Sequence, residues 1–160
     1  MSQPLLIILM GSKADAPHSQ KIAEAAAQLG LDVIQRIGSA HKTPAHVLKI
    51  LAEAEADPRP KVFVTVAGRS NALSGFVDAA VSCPVIACPP SSESFGGADI
   101  YSSLRMPSGV APAVVLEPTN AALLAAKILG ISDPIVRQHV QAFQQQQAQK
   151  ILNDDASQTA

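Results

Sequence analysis

Aromatic side chains make up only 3% of this 160-residue chain, and tryptophan is absent altogether. Single-stranded nucleic acids are held by bases stacked on aromatic rings, so the composition argues against that class of partner. An excess of charge of either sign is missing too, since 12 Lys and Arg stand against 13 Asp and Glu for a formal net charge of −1. There is no basic face for a phosphate backbone and no polybasic patch for an anionic membrane. No apolar run approaches the roughly 20 residues that a bilayer-spanning helix needs. Met1 to Ile8 lacks the basic start and long apolar stretch of a secretory signal, so the chain is expected to be soluble and cytoplasmic. Cys83 and Cys88, the only two cysteines, bound the apolar stretch CPVIAC. Their spacing matches no metal motif, and in a reducing compartment they read as buried structural thiols. The partner left by these exclusions is a small molecule.

What is present is alternation. LLIILM (Leu5 to Met10) is apolar at every position, as a strand must be when helices cover both faces of a parallel sheet. DVIQRI, KVFVTVA, PVIAC and AVVL follow as further strands, rich in Val and Ile. Between them Ile22, Ala25, Ala26 and Leu29, then Val47, Ile50, Leu51 and Ala54, then the alanine-rich run after Asn120, recur at helical spacing. About five strands alternating with helices, joined by right-handed crossovers, define a three-layer α/β/α sandwich of flavodoxin-like type in one domain, 1–160. A final helix is expected from about Asp133 to Leu152, with Val136, Val140, Phe143 and Ile151 on one stripe. It is longer than closing the sheet requires, which points to docking on another subunit; residues 153–160, NDDASQTA, read as a frayed tail.

In open parallel sheets ligands bind outside the carboxyl ends of the strands, so the residues just after each strand form one candidate group. GSKAD follows the first strand: Gly11 permits a tight turn, Ser12 offers a hydroxyl, and Asp15 stands near a helix start where free N–H groups suit a phosphate. The alternative is an ordinary glycine turn with Asp15 as helix cap. SAHKTP follows the second strand and AGRSNALSG the third. An imidazole titrates near neutrality, so His41 beside an anion site can take and return a proton. Lys42 and Arg69 read as anion ligands, or else as a surface lysine and a helix-capping arginine. His18, His46 and His139 lie on helices without converging polar groups and read as structural. The stretch PPSSESFGGADIYSSLRMPSG, residues 89–109, is either a functional loop over the strand edge or a short helix, DIYSSLRM, that supplies interface contacts.

MGSKAD, SAHKTP, AGRSNALSG, SSLRMPSG and NAALLAAKILG occur in the order seen in the PurE family of purine biosynthesis, and the resemblance covers nearly the whole chain. It resembles more narrowly the class II branch, aminoimidazole ribonucleotide carboxylase. The class I mutase pattern has SAHRTP and a loop like AGGAAHLPG; here Lys42 replaces the arginine, and Asn71 stands near the mutase loop's second histidine. The resemblance implies a reversible carboxylation of 5-aminoimidazole ribonucleotide (AIR) by CO2 to 4-carboxy-5-aminoimidazole ribonucleotide (CAIR), without metal, biotin or nucleotide cofactor. By motif position, Ser12, Ser39 and Lys42 would serve the phosphate and neighbouring anionic groups, and Asp15 the ribose hydroxyls. Gly68, Arg69, Ser70 and Asn71 would shape the pocket for CO2 or carboxylate, and His41 would be the acid/base. A homo-octamer is expected, with a homotetramer as the alternative. Two other readings remain at this point: the class I mutase, and a non-catalytic nucleotide-binding module on the same scaffold.

Overall fold

Leu5–Met10 forms β1, buried at all six positions. An apolar residue at every position has no solvent face to offer, and this strand lies inside the sheet with a parallel neighbour on each side. The structure, a computed structural model, describes residues 3–91, 93 and 95–158. Its other strands are β2 (Asp32–Ile37), β3 (Lys61–Val66), β4 (Val85–Ala87) and β5 (Ala113–Val114). All pairings are parallel and the order is β2-β1-β3-β4-β5, the flavodoxin-like order. The first three strands match the sequence expectation; the last two are shorter than PVIAC and AVVL. β2 is an edge strand, and its Ile34 and Ile37 stay 40% and 44% exposed.

The helices are α1 (Ala16–Gln28), α2 (Pro44–Glu55), α3 (Leu73–Asp78), α4 (Tyr101–Leu104), α5 (Pro118–Leu129) and α6 (Pro134–Gln158). Side chains alternate across a strand, which splits the core in two. Leu6, Ile8 and Met10 of β1 pack with Val62, Val64 and Val66 of β3 under α1, α5 and the start of α6. Leu5, Ile7, Leu9 and Phe63 pack on the other face with Val47, Ile50 and Leu51 of α2 and Leu73 and Val77 of α3. Each fully buried Leu, Ile, Val or Phe contributes roughly 1.5–3 kcal/mol. The three-layer arrangement therefore follows from the period-2 pattern of β1 and β3 combined with the helical stripes around them.

α6 begins where Asp133 Oδ1 accepts the Ile135 and Val136 amides at 2.9 and 3.0 Å, with Pro134 in the first turn. Val136 and Val140 are buried, and Phe143 packs against the same core. Ile151 and Leu152 are not covered, at 67% and 62% exposed. The helix continues to Gln158, so residues 153–158 are helical rather than a frayed tail; 159 and 160 lie outside the described residues. DIYSSLRM is likewise corrected: Ala98–Ile100 is a 3-10 turn and only Tyr101–Leu104 is α-helical.

Candidate functional site

The loops after β1, β2, β3 and β4 enclose a cavity of about 760 Å³ lined by Gly11, Ser12, Asp15, Ser39, His41 and Lys42 from the first two. Gly68, Arg69 and Ser70 line it from the third and Pro90, Ser91 and Glu93 from the fourth. β1 and β3 flank the point where the strand order reverses, which is where an open parallel sheet leaves a crevice. The loops can crowd together because their contact residues are small. A Cβ on Gly11 would stand 3.3 Å from Ala67 Cβ, already tight for a non-bonded pair.

Asp15 occupies the N-cap position of α1, but its carboxylate does not cap the helix. It turns back, and Oδ2 accepts from Ser12 N at 2.8 Å and Ser12 Oγ at 3.0 Å. That fixes Ser12 at the mouth of the cavity and leaves the other carboxylate oxygen, Oδ1, without a hydrogen bond among the described residues.

SAHKTP proves to be a turn and a cavity wall at once. Ser39 N donates to Thr43 Oγ1 at 3.0 Å, Lys42 N donates to Ser39 Oγ at 3.2 Å, and Thr43 N donates to Ser39 O at 2.9 Å. The hydroxyls of Ser39 and Thr43 thus close the loop from inside, and Pro44 starts α2 with its fixed φ. His41 and Lys42 at the apex are exposed, and neither side chain has a hydrogen-bond partner among the described residues. Both are open to a ligand.

Arg69 has φ 59, the left-handed region, and is the one non-glycine residue in it among the described residues. That conformation costs about 1–2 kcal/mol for an L-residue, so its surroundings must hold it there. Asn71 lies apart from the other residues of its loop. Asn71 is 4% exposed and does not line the cavity. Its Nδ2 donates to Ser74 Oγ at 3.0 Å and Ser103 Oγ at 2.9 Å, while Oδ1 accepts from Ser74 N at 3.2 Å. Both Nδ2 protons are taken by contacts with α3 and α4, and the buried amide faces the protein rather than the cavity.

Ser91 and Glu93 enter the cavity without any motif to mark them; the one sequence sign of them is the proline-flanked loop that contains them. Of that loop, Ser92 and Ser94 lie outside the described residues. A neighbouring space of about 430 Å³, lined in part by His18, Lys21, Asp99 and Glu117, shares Gly68, Arg69 and Pro90 with the first. His18 Nε2 lies 3.3 Å from Cys88 Sγ. Burial, then the nearby Lys21 charge, lowers the His18 pKa. His139 Nδ1 meets Leu29 O at 3.2 Å and ties α6 to the end of α1. Both histidines have structural partners, as the sequence reading of them requires, although His18 has more polar company than its sequence context indicates. Burial pushes the Cys88 thiol up to about 12 and Cys83 up to about 11, so neither is a ready nucleophile. Among the described residues no group of three His, Cys, Asp or Glu side chains is placed to hold a metal ion.

A flavodoxin-like sheet carrying a hydroxyl-, carboxylate- and cation-lined cavity at its switch point, with one histidine on the rim, places the chain in the class of α/β proteins with a polar cavity at the carboxyl edge of a parallel sheet. Comparison with known proteins narrows it. The family model described as AIR carboxylase matches residues 5–150, and the chain belongs to that family. It is 57% identical over 154 residues to a phosphoribosylaminoimidazole carboxylase of Treponema denticola, covering 96% of this chain and 97% of that one. To the protein of the same name in Archaeoglobus fulgidus it is 58% identical over 149 residues, covering 93% and 82%. A bifunctional phosphoribosylaminoimidazole carboxylase/phosphoribosylaminoimidazole succinocarboxamide synthetase of Mus musculus is 43% identical over 135 residues, which cover 84% of this chain and 32% of that one. The crystal structure of Treponema denticola PurE superimposes with a TM-score of 0.95 at 57% identity, covering 97% of this chain and 98% of that chain.

Proposed function

We propose that this chain, residues 1–160 as a single domain, is a cofactor-independent carboxy-lyase of purine biosynthesis that carboxylates AIR with CO2 to give CAIR, reversibly. The observation that carries the reading is the meeting of Ser12, Asp15, Ser39, His41, Lys42 and Arg69 around one cavity in a chain 57% identical to a phosphoribosylaminoimidazole carboxylase. Ser12, Ser39 and Lys42 take the phosphate and adjacent anionic groups. Asp15, with one carboxylate oxygen committed to Ser12 and one open, accepts from the ribose hydroxyls. Gly68, Arg69 and Ser70 face the CO2 or carboxylate group, where the guanidinium offsets the negative charge that develops.

The chemistry needs one proton transfer. The ring carbon, made electron-rich by its amino substituent, attacks the carbon of CO2; a C–C bond forms and the C=O electron pair goes to oxygen. The ring carbon is then tetrahedral and still carries its hydrogen. Neutral His41 takes that proton, and the C–H electron pair returns to the ring to restore aromaticity. Protonated His41 returns it in the decarboxylation direction. His41 suits the role because no protein group occupies its ring nitrogens among the described residues.

The class II assignment is supported by Lys42 in SAHKTP and by AGRSNALSG in place of the mutase loop. Asn71 acts in it through loop shape. The test is the initial rate with AIR and with its N-carboxylated form in turn, varying bicarbonate in the presence of carbonic anhydrase and correcting for spontaneous breakdown. Turnover of AIR that rises with CO2 is expected; fast, bicarbonate-independent conversion of the N-carboxylated compound with little from AIR would move the chain to the mutase branch. The cytoplasm is the expected location, consistent with the absence, among the described residues, of any helix long and apolar enough to cross a membrane. A homo-octamer, with a tetramer as alternative, is the proposed assembly. The exposed Ile151 and Leu152 on α6, and Phe95, Tyr101 and Leu104 in the loop region, offer apolar surface for other copies. Light scattering that returns a monomer at micromolar concentration would overturn it.

A further inference from the structure

We propose that Asp99, Ser102 and Ser103 are positioning residues for the reaction, holding the Gly68–Asn71 loop in the conformation that carries Arg69 into the cavity. The proposal rests on the reading of Arg69 as the group facing the carboxylate. Arg69 lines not only the 760 Å³ cavity but also the two beside it, of about 430 and 680 Å³. Its placement therefore decides how the space at this strand edge is divided. It is also the strained point of the site, at φ 59. A left-handed arginine persists only where its neighbours over-determine it.

Those neighbours come from a segment about thirty residues further along the chain. Arg69 N donates to Asp99 Oδ2 at 3.2 Å, and Asn71 N donates to Ser102 Oγ at 2.9 Å. Ser102 Oγ lies 2.7 Å from Asp99 O and 3.2 Å from Arg69 O, so its one proton is shared between two carbonyls while its lone pair receives Asn71 N. Ser103, 1% exposed, receives Asn71 Nδ2 at 2.9 Å. Both peptide groups that flank the strained residue are thus tied to the 98–104 segment, and the side chain two residues on is anchored in the same place. That segment is a three-residue 3-10 turn and a four-residue helix, too short to hold itself. The clamp works in both directions. Asp99 itself sits outside the 760 Å³ cavity, so its effect on the reaction passes through Arg69.

The experiment is a double-mutant cycle on kcat/KM for AIR carboxylation by the full chain, with unfolding midpoints measured for every variant so that loss of fold is separated from release of the loop. Asp99→Ala is expected to lower kcat/KM about ten-fold, and Asp99→Asn, which keeps an acceptor oxygen, to remain within about three-fold of the parent. In an Arg69→Ala background Asp99→Ala should cause no further loss. A silent Asp99→Ala, or two losses that multiply in full, overturns the proposal. Amide hydrogen exchange supplies a readout that needs no turnover: protection at Arg69 and Asn71 should fall in Asp99→Ala and in Ser102→Ala, and unchanged protection also overturns it. If exchange responds as expected while the parent protein fails to carboxylate AIR, the clamp stands and the reading of the activity falls.

Discussion

Replacing Asn71 by alanine separates a packing role from a ligand role, because the two predict different quantities. The side chain makes three hydrogen bonds inside the protein, two from Nδ2 to Ser74 and Ser103 and one accepted by Oδ1 from Ser74 N. Each is worth about 1 kcal/mol net, and a buried donor left unpaired costs about 1–3 kcal/mol. Ser74 and Ser103 are 0% and 1% exposed, so water cannot easily replace the amide. The two hydroxyl oxygens lose a donor, which leaves lone pairs unfilled at modest cost, but the Ser74 N–H loses its acceptor and cannot move without unwinding the start of α3. Asn71→Ala should therefore lower stability by about 3–4 kcal/mol, a fall in Tm of roughly 6–16 °C for a chain of this size. Urea titrations of both proteins at one protein concentration would measure it, with m unchanged if only stability has moved. Were Asn71 instead a group that faces ligand, truncation would shift stability by less than about 0.5 kcal/mol and act on KM. An unfolding free energy within that margin of the parent refutes the packing argument.

His41→Asn should keep ligand binding by calorimetry and lower turnover by roughly 10²–10⁴-fold, since an amide can hydrogen-bond but cannot carry the proton; near-normal turnover would assign the base elsewhere. Gly30→Ala should destabilise by more than the about 1–2 kcal/mol of a left-handed residue, because Gly30 has φ 82 and an added Cβ would overlap His139 Nδ1, displacing it from Leu29 O. An unchanged melting curve would show that α6 yields freely at this contact. The half-buried Cys83 and the buried Cys88, their thiols pushed up to about 11 and about 12, should alkylate slowly at pH 8 in the folded protein and fast in urea; labelling of Cys88 in the folded protein at the rate of a free thiol would contradict its burial. His18, lowered from 6.5 first by burial and then by Lys21, binds its proton at higher pH when unfolded than when folded. Folding stability should accordingly drop as pH falls from about 6.5 toward the folded pKa, and His18→Gln should flatten that part of the stability profile; an identical profile in the variant would remove His18 as its source.

Much of the architecture was legible because it is written in short-range periodicity. LLIILM can only be a strand covered on both faces, the stripes of α1 and α2 fall at helical spacing, and polar clusters directly after strands mark the ligand edge of a parallel sheet. Ser12, Asp15, Ser39, His41, Lys42, Gly68, Arg69 and Ser70 could be grouped on that ground, and they do meet around one cavity. Asn71 marks the limit of that reasoning: a loop residue after a strand can point to ligand or to core, and the local sequence is the same either way. The choice was made by Ser103, a residue 32 positions away, which supplies the acceptor that makes burial of the amide affordable.

Which segments become strands and helices, and which loops gather at the sheet's carboxyl edge, follows from side-chain period and turn chemistry within a few residues. The orientation of side chains within those loops comes from long-range packing: Asn71 turned into the core, Arg69 held left-handed by Asp99 and Ser102. The same packing leaves Ile151 of α6 exposed while it buries Val136 and Val140. Each of these depends on which groups a distant segment presents to the loop or helix, and a hydrogen bond or a hydrophobic contact across thirty residues leaves no local periodicity to read.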